Sequence, residues 1–187
     1  MFCIPMKSID ILKTTLEKLT DKEHYLFSVS DFYSLFNNLS KPALTVLLNR
    51  AVKSNILERA CKGVFIYPKA EYEKGYELYH ISAKLRETEF CYLSCENILS
   101  QNGIISQIPI GYITLMTTGR SGIINCGKYG TIEFIHTKKN VESLHNKITY
   151  NYKYKLWCAK IPLAYKDMKI TKKSLDLVNK DMLNEFI

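Results

Sequence analysis

Apolar positions along this chain change period several times, and each change marks an element. In Ser8–Lys22, Ile9, Ile11, Leu12, Thr15, Leu16 and Leu19 recur at helical spacing with lysine and glutamate between them, which predicts a first helix. Tyr25–Val29 predicts a short strand. Ser30 is placed to cap a second helix over Asp31–Asn37, with Phe32, Leu35 and Phe36 inward and Asp31 in the favourable first turn. Asn37–Ser40 is a turn whose length suits a helix-turn-helix. Ser40 caps a third helix, and Pro42 fits its first turn, where a missing N–H costs nothing. Leu44, Leu47, Leu48 and Ala51 make its apolar face; Lys41, Thr45, Asn49, Arg50 and Lys53 fall on the other. Asn55 stops it. Ile56–Arg59 and Val64–Tyr67 are β-rich runs joined through Cys61-Lys62-Gly63, a hairpin signal that Pro68 closes.

The second half is less regular. Lys69–Thr88 reads as a polar linker that becomes helical around His80, with a domain boundary near Gly75. In Phe90–Gly103, Ser94 is placed to cap a short helix, Ile98 and Leu99 face inward and Gly103 ends it. Gly111–Thr117 predicts a strand. Ile123–Cys126 and Thr131–His136 predict a hairpin through Gly127–Gly130. Thr149–Lys160, where Tyr150, Tyr152, Tyr154 and Trp157 alternate with polar residues, predicts one strand. Ser174–Ile187 predicts a C-terminal helix. The expected fold is α+β: an N-terminal winged helix-turn-helix domain over residues 1–74, then a small α+β domain with an antiparallel sheet over residues 75–187.

Charge sharpens this picture. The 187 residues carry 26 Lys and Arg against 18 Asp and Glu, a net +8 that favours a polyanionic partner, nucleic acid before membrane surface. Residues 136–173 hold ten lysines against Glu142 and Asp167. No apolar run approaches the roughly 18 residues of a membrane span. The first twelve residues lack the basic region, apolar core and cleavage site of a leader, so the expected location is cytoplasmic.

The six cysteines, Cys3, Cys61, Cys91, Cys95, Cys126 and Cys158, are scattered and read as reduced thiols. Cys91 and Cys95 are close, but no second pair completes a zinc site, and neither a metal nor a cofactor is expected. His24, His80, His136 and His145 form no metalloprotease or His/Cys arrangement, and no G-x-S-x-G elbow occurs. Glu133 and Lys138 near a strand make a loose nuclease pattern without an Asp to complete a metal pair. The chain therefore reads as a non-enzyme.

The polar face of the third helix reads either as a solvated surface or as a DNA-facing one. In the second reading, Asn49 and Arg50 suit base edges, because amide and guanidinium can make paired hydrogen bonds to adenine and guanine. Lys41 and Lys53 suit phosphates, Thr45 shares their face, and Arg59 and Lys62 on the hairpin would reach a neighbouring phosphate or the minor groove. The Tyr/Lys-rich 149–160 segment reads as an amphipathic strand with its aromatics packed on one face, or as a second surface with stacking tyrosines. Thr118–Gly122 reads as a hairpin turn rather than a phosphate cradle, since no Walker pattern exists. Arg120 at its tip, with Lys128, Lys138, Lys139, Lys153 and Lys155, makes a second set of candidate contacts to a partner or nucleic acid.

Two blocks together resemble a known family. Leu57-Glu58-Arg59-Ala60-Cys61-Lys62-Gly63-Val64-Phe65 is similar to the wing of the N-terminal domain of AbiEi antitoxins, from type IV toxin–antitoxin (abortive infection) systems. Tyr92–Ser100, Gly103-Ile104-Ile105 and Thr114–Ser121, with Thr118-Gly119-Arg120-Ser121, resemble the start of that family's second domain. The resemblance covers about residues 26–137. It implies a transcriptional repressor that binds double-stranded DNA at operator inverted repeats and autoregulates its operon. It also implies an antitoxin opposing a nucleotidyltransferase-type toxin. A homodimer on DNA would match the two-fold symmetry of such sites. The family's usual Pro-Glu-x-Ala-Leu-x-Asp segment survives only as a trace in Ile161–Asp167, and its long helical tail is not matched. The alternative reading is a protein-interaction module that uses the same fold without reading DNA.

Overall fold

Two serines decide where helices begin in the first part of the chain. Ser28, not Ser30, starts the second helix: its hydroxyl accepts from the Asp31 amide at 3.2 Å, and the Asp31 carboxylate accepts from the Ser28 amide at 2.7 Å. This reciprocal box satisfies two N–H groups that a lone cap at Ser30 would leave open. The Ser30 hydroxyl instead sits 2.7 Å from that of Ser28. Ser40 caps the third helix as the sequence predicts, accepting from the Ala43 amide with Pro42 in the first turn.

The computed structural model describes residues 8–186; Cys3, the first residues read for a leader, and Ile187 lie outside them. Among the described residues the chain is mixed α and β, with seven α-helices and two sheets, and it forms two compact units divided between Gly75 and Tyr76. The first unit runs α1 (Ser8–Leu19), β1 (Leu26–Ser28), α2 (Val29–Leu35), α3 (Lys41–Lys53), β2 (Glu58–Cys61) and β3 (Val64–Ile66). Its three strands pair antiparallel in the order β1-β3-β2. Its core joins Leu12 and Leu16 of α1, Phe32 of α2, the Leu44/Leu47/Leu48/Ala51 stripe of α3, and Phe65 of β3. Each such large side chain removed from water contributes about 2 kcal/mol. Asn55, in the left-handed region at φ 54°, turns the chain out of α3, and the Ile56 and Leu57 amides both donate to the Ala51 carbonyl.

The second unit runs α4 (Glu77–Leu85), β4 (Cys91–Leu93), α5 (Glu96–Gln101), β5 (Tyr112–Thr117), β6 (Gly122–Asn125), β7 (Thr131–His136), β8 (Ile148–Asn151), β9 (Leu156–Ala159), α6 (Ile161–Thr171) and α7 (Lys180–Asn184). Its six strands lie in the order β6-β7-β5-β4-β9-β8. The sheet is mixed rather than antiparallel: β5 pairs parallel with β7, and β4 parallel with β9. Leu93, Leu115 and Phe134 are register partners and so share one face, where Arg86 at the end of α4 stacks on Phe134 at 4.6 Å. Tyr92, one residue out of phase, points to the opposite face and reaches Asp167 of α6.

Four further expectations are corrected. Ser94 does not cap α5; Cys95 occupies that position at φ 54° without a side-chain cap bond, because the Ser94 hydroxyl is committed to Asp167. Residues 149–160 are two strands of a hairpin, since the Asn151 side chain accepts from the Lys153 and Tyr154 amides and folds a turn. Residues 174–186 hold a short 3-10 turn, a bridge of Val178 to Ile105, and only then α7. Thr118–Gly122 is not a hairpin turn. β6 pairs with β7, so this segment carries the chain around the end of β7, where the Ser121 hydroxyl accepts from the His136 amide.

Gly130, at φ 115° and ψ −154°, holds a conformation open to glycine alone, and a Cβ there would fall on the Gly111 carbonyl that accepts from Thr131. Gly130→Ala should therefore cost about 2 kcal/mol in urea unfolding. Gly122→Ala, with open space at the Cβ, should change stability by less than about 0.5 kcal/mol.

Candidate nucleic-acid interface

With its apolar stripe inward, α3 presents Lys41, Thr45, Asn49, Arg50 and Lys53 to solvent. Thr45, Asn49 and Lys53 are four residues apart, so they line up along one edge of the helix. The Thr45 hydroxyl donates to the Lys41 carbonyl at 2.9 Å. Arg59 of β2 donates from Nη2 to Asn49 Oδ1 at 2.7 Å, and its guanidinium lies 5.1 Å from the centroid of the Phe65 ring. The ring contact and the hydrogen bond together restrict an otherwise loose side chain, and the hydrogen bond ties the hairpin to the helix at one point. Lys62 stands exposed at the hairpin tip beside Gly63, which takes φ 86°.

Arg50 does not join this group. Consecutive helical residues are about 100° apart, and Arg50 lies at the α1 edge, lining a shallow hollow with Ile9, Leu39 and Val46. The two side chains read from sequence as base readers thus face different directions, and Asn49 shares its carbonyl oxygen with Arg59. Over residues 41–62 the five cations meet a single acid, Glu58.

The second set of candidates is dispersed. Arg120 and Lys128 flank β6 and Lys153 and Lys155 fill the β8–β9 turn, at opposite edges of a six-stranded sheet. With strands about 4.8 Å apart, those edges are about 24 Å from one another. Lys128 leans on the Tyr129 ring at 5.1 Å and Lys153 on the Tyr76 ring at 5.7 Å, while the Lys153 carbonyl accepts from His80 Nε2 at 2.7 Å. The Arg120 carbonyl accepts from Arg86 at 3.0 Å. Lys138 is exposed. Lys139 is turned inward onto Asp167, a side chain with no exposed surface, so it is an internal counter-charge rather than a surface contact. Tyr150, Tyr152 and Trp157 pack edge-on, with Tyr150 touching both of the others, so they do not stack on one another, while Tyr154 stacks inward on Tyr79 of α4 at 4.1 Å.

Two polar clusters on the α6 face of the sheet escaped the sequence reading. Asp167 Oδ2 accepts from the Tyr92 hydroxyl at 3.0 Å and the Ser94 hydroxyl at 2.8 Å, while Oδ1 pairs with Lys139. Glu133 accepts from the Tyr112 hydroxyl at 2.9 Å and pairs with Lys173, not with Lys138. A signal for the first existed: Leu163, Ala164, Asp167 and Met168 follow helical spacing, which places the aspartate on the buried face. Asn97 was also missed; its side chain donates to the Tyr112 carbonyl and accepts from the Thr114 amide, holding α5 against β5. Among the described residues, no three His, Cys, Asp or Glu side chains gather to hold a metal, and no helix is long and apolar enough to cross a membrane.

Burial pushes several groups of this unit up: the Cys91 and Cys158 thiols to about 11, Cys95 to about 12, and the Tyr79 hydroxyl to about 12. Desolvation comes first in each case, and for Tyr92, which is also raised, the Asp167 charge adds to it. No family model matches the chain, and no curated protein matches it.

The raised groups hold their protons in the folded chain after the unfolded chain has lost them, so their stabilisation is complete below about pH 9 and is lost as pH rises toward 12. Urea midpoints should be flat near pH 8 and fall above pH 9. Replacing Lys139 strands a buried carboxylate, so Lys139→Met should cost about 3 kcal/mol. Lys138→Met, on the exposed neighbour, should move the midpoint by no more than about 0.5 kcal/mol.

Proposed function

We propose that this chain is a DNA-binding transcriptional repressor whose first unit is a winged helix-turn-helix, with α3 as recognition helix and β2–β3 as wing. The observation that carries this reading is the Arg59–Asn49 hydrogen bond. It joins the hairpin to the exposed edge of a helix whose outer face is basic. A helix of this kind enters the major groove while its neighbours contact the backbone. On this reading Asn49, with its amide NH2 as the remaining donor, meets a base edge, and Lys41, Lys53 and Lys62 meet phosphates. Arg50 approaches from the α1 side.

The AbiEi resemblance extends the proposal to autoregulation of a type IV toxin–antitoxin operon and to opposition of a nucleotidyltransferase-type toxin, with the second unit as the antitoxin part. A protein-docking role is the second reading. It draws on Val46, 48 % exposed on the same helix beside the hollow that Ile9 and Leu39 line.

A gel shift with the DNA upstream of the chain's own gene tests this reading. Wild type should bind with steep salt dependence. Asn49→Ala with Arg59→Ala should bind at least about tenfold more weakly, from about 1–3 kcal/mol for the lost base contact together with the freed hairpin. Equal binding by both proteins would remove the helix–hairpin assignment. Absence of DNA binding, with co-purification of a neighbouring gene's product, would transfer the case to the docking reading.

A further inference from the structure

A cavity of about 380 Å³ opens in the second unit between the 3-10 turn Val141–Leu144 and the first turns of α6. Four lysines surround it: Lys139, Lys147, Lys160 and Lys166. None of the described lining residues is acidic. Lys139 has its counter-charge in Asp167, behind the wall. Lys147 donates to the Ser143 carbonyl at 2.8 Å, a neutral partner that leaves its charge in place at the rim. Lys160 and Lys166 approach from α6, on whose surface Pro162, Leu163 and Lys166 share one side. Leu144 and Leu163, 1 % and 5 % exposed, form an apolar floor with Pro162.

We propose that this cavity binds a phosphorylated small molecule of nucleotide size. Like charges gathered around one concave space raise its potential and draw in an anion. Ammonium groups bind phosphate as point charges with three donors each, and several can share one phosphate group. The volume falls in the range of small-molecule sites, and the apolar floor suits a flat ring rather than a bare inorganic anion. The uncapped first turn of α6 adds partial positive charge at the same rim, but the proposal stands on the Lys147, Lys160 and Lys166 ammonium groups and the floor beneath them. It is independent of DNA reading by the first unit, because all of these residues belong to the second.

Calorimetric titration of the full chain at low salt tests the site with AMP, ADP, pyrophosphate, adenosine and a short DNA duplex as probes. AMP or ADP should bind saturably at one site per chain, and adenosine, without phosphate, should not. Lys160→Ala with Lys166→Ala, both exposed positions, should weaken nucleotide binding at least about tenfold with an unchanged circular dichroism spectrum. Lys18→Ala with Lys22→Ala, in the first unit, should leave it unchanged. No saturable nucleotide binding, or equal binding by the Lys160/Lys166 variant, would overturn the proposal. So would a variant that loses affinity only for the duplex, or pyrophosphate binding as tightly as ADP.

Discussion

Everything exposed on the first unit depends on the burial of one stripe, Leu44, Leu47, Leu48 and Ala51, against α1, α2 and the hairpin. That contact sets the rotation of α3 about its own axis. A helix turned by one residue would move every outward side chain by about 100°, and the Thr45–Asn49–Lys53 edge would no longer meet Arg59. The apolar stripe carries the free energy, while the polar edge carries any recognition. The hydrogen bond between Asn49 and Arg59 adds little stability, since it lies in solvent, but it needs the stripe in place to form at all.

The second unit solves a different problem. A sheet with parallel pairings on both sides of the antiparallel β4–β5 pair needs cover on both faces. α4 covers the Leu93/Leu115/Phe134 face, and α6 lies on the other. α6 brings a carboxylate into the interior, and three side chains from two other segments, Tyr92, Ser94 and Lys139, converge to satisfy it. Such a group contributes less to stability than to position: the helix cannot slide along the sheet without leaving a charge unpartnered.

Much of the first unit was legible in the sequence because its signals are local. Caps, a helical stripe and a glycine hairpin tip lie within about thirty residues of one another. The cap at Ser28 was missed because Ser30 offers the same hydroxyl two residues later; only the reach of Asp31 back to the Ser28 amide distinguishes them. In the second unit the elements were visible but their partners were not. Neighbouring β6 and β7 read correctly as a hairpin. The parallel pairing of β5 with β7 joins strands that are not consecutive, and no local pattern encodes it. The tyrosine alternation of 149–160 continued through a turn and so hid it. Asp167 was legible as an inward position, but its ligands lie 28 to 75 residues away. Of the candidate interface, the residue types could be read directly. Their directions could not, so Arg50 and Asn49 were grouped although the helix points them apart.

The Asn49–Arg59 contact has a consequence for how this surface can change over generations. The two residues are ten apart in sequence and lie on different elements, yet neither is independent of the other. A new side chain at 49 leaves the guanidinium at 59 with its Phe65 contact alone, and a new one at 59 frees the amide at 49. Drift at either position is therefore felt at both, so related chains should vary at 49 and 59 as a matched pair. On the same edge, Thr45 is bonded within its own helix, to the Lys41 carbonyl, so a change there is felt along α3 rather than at the hairpin.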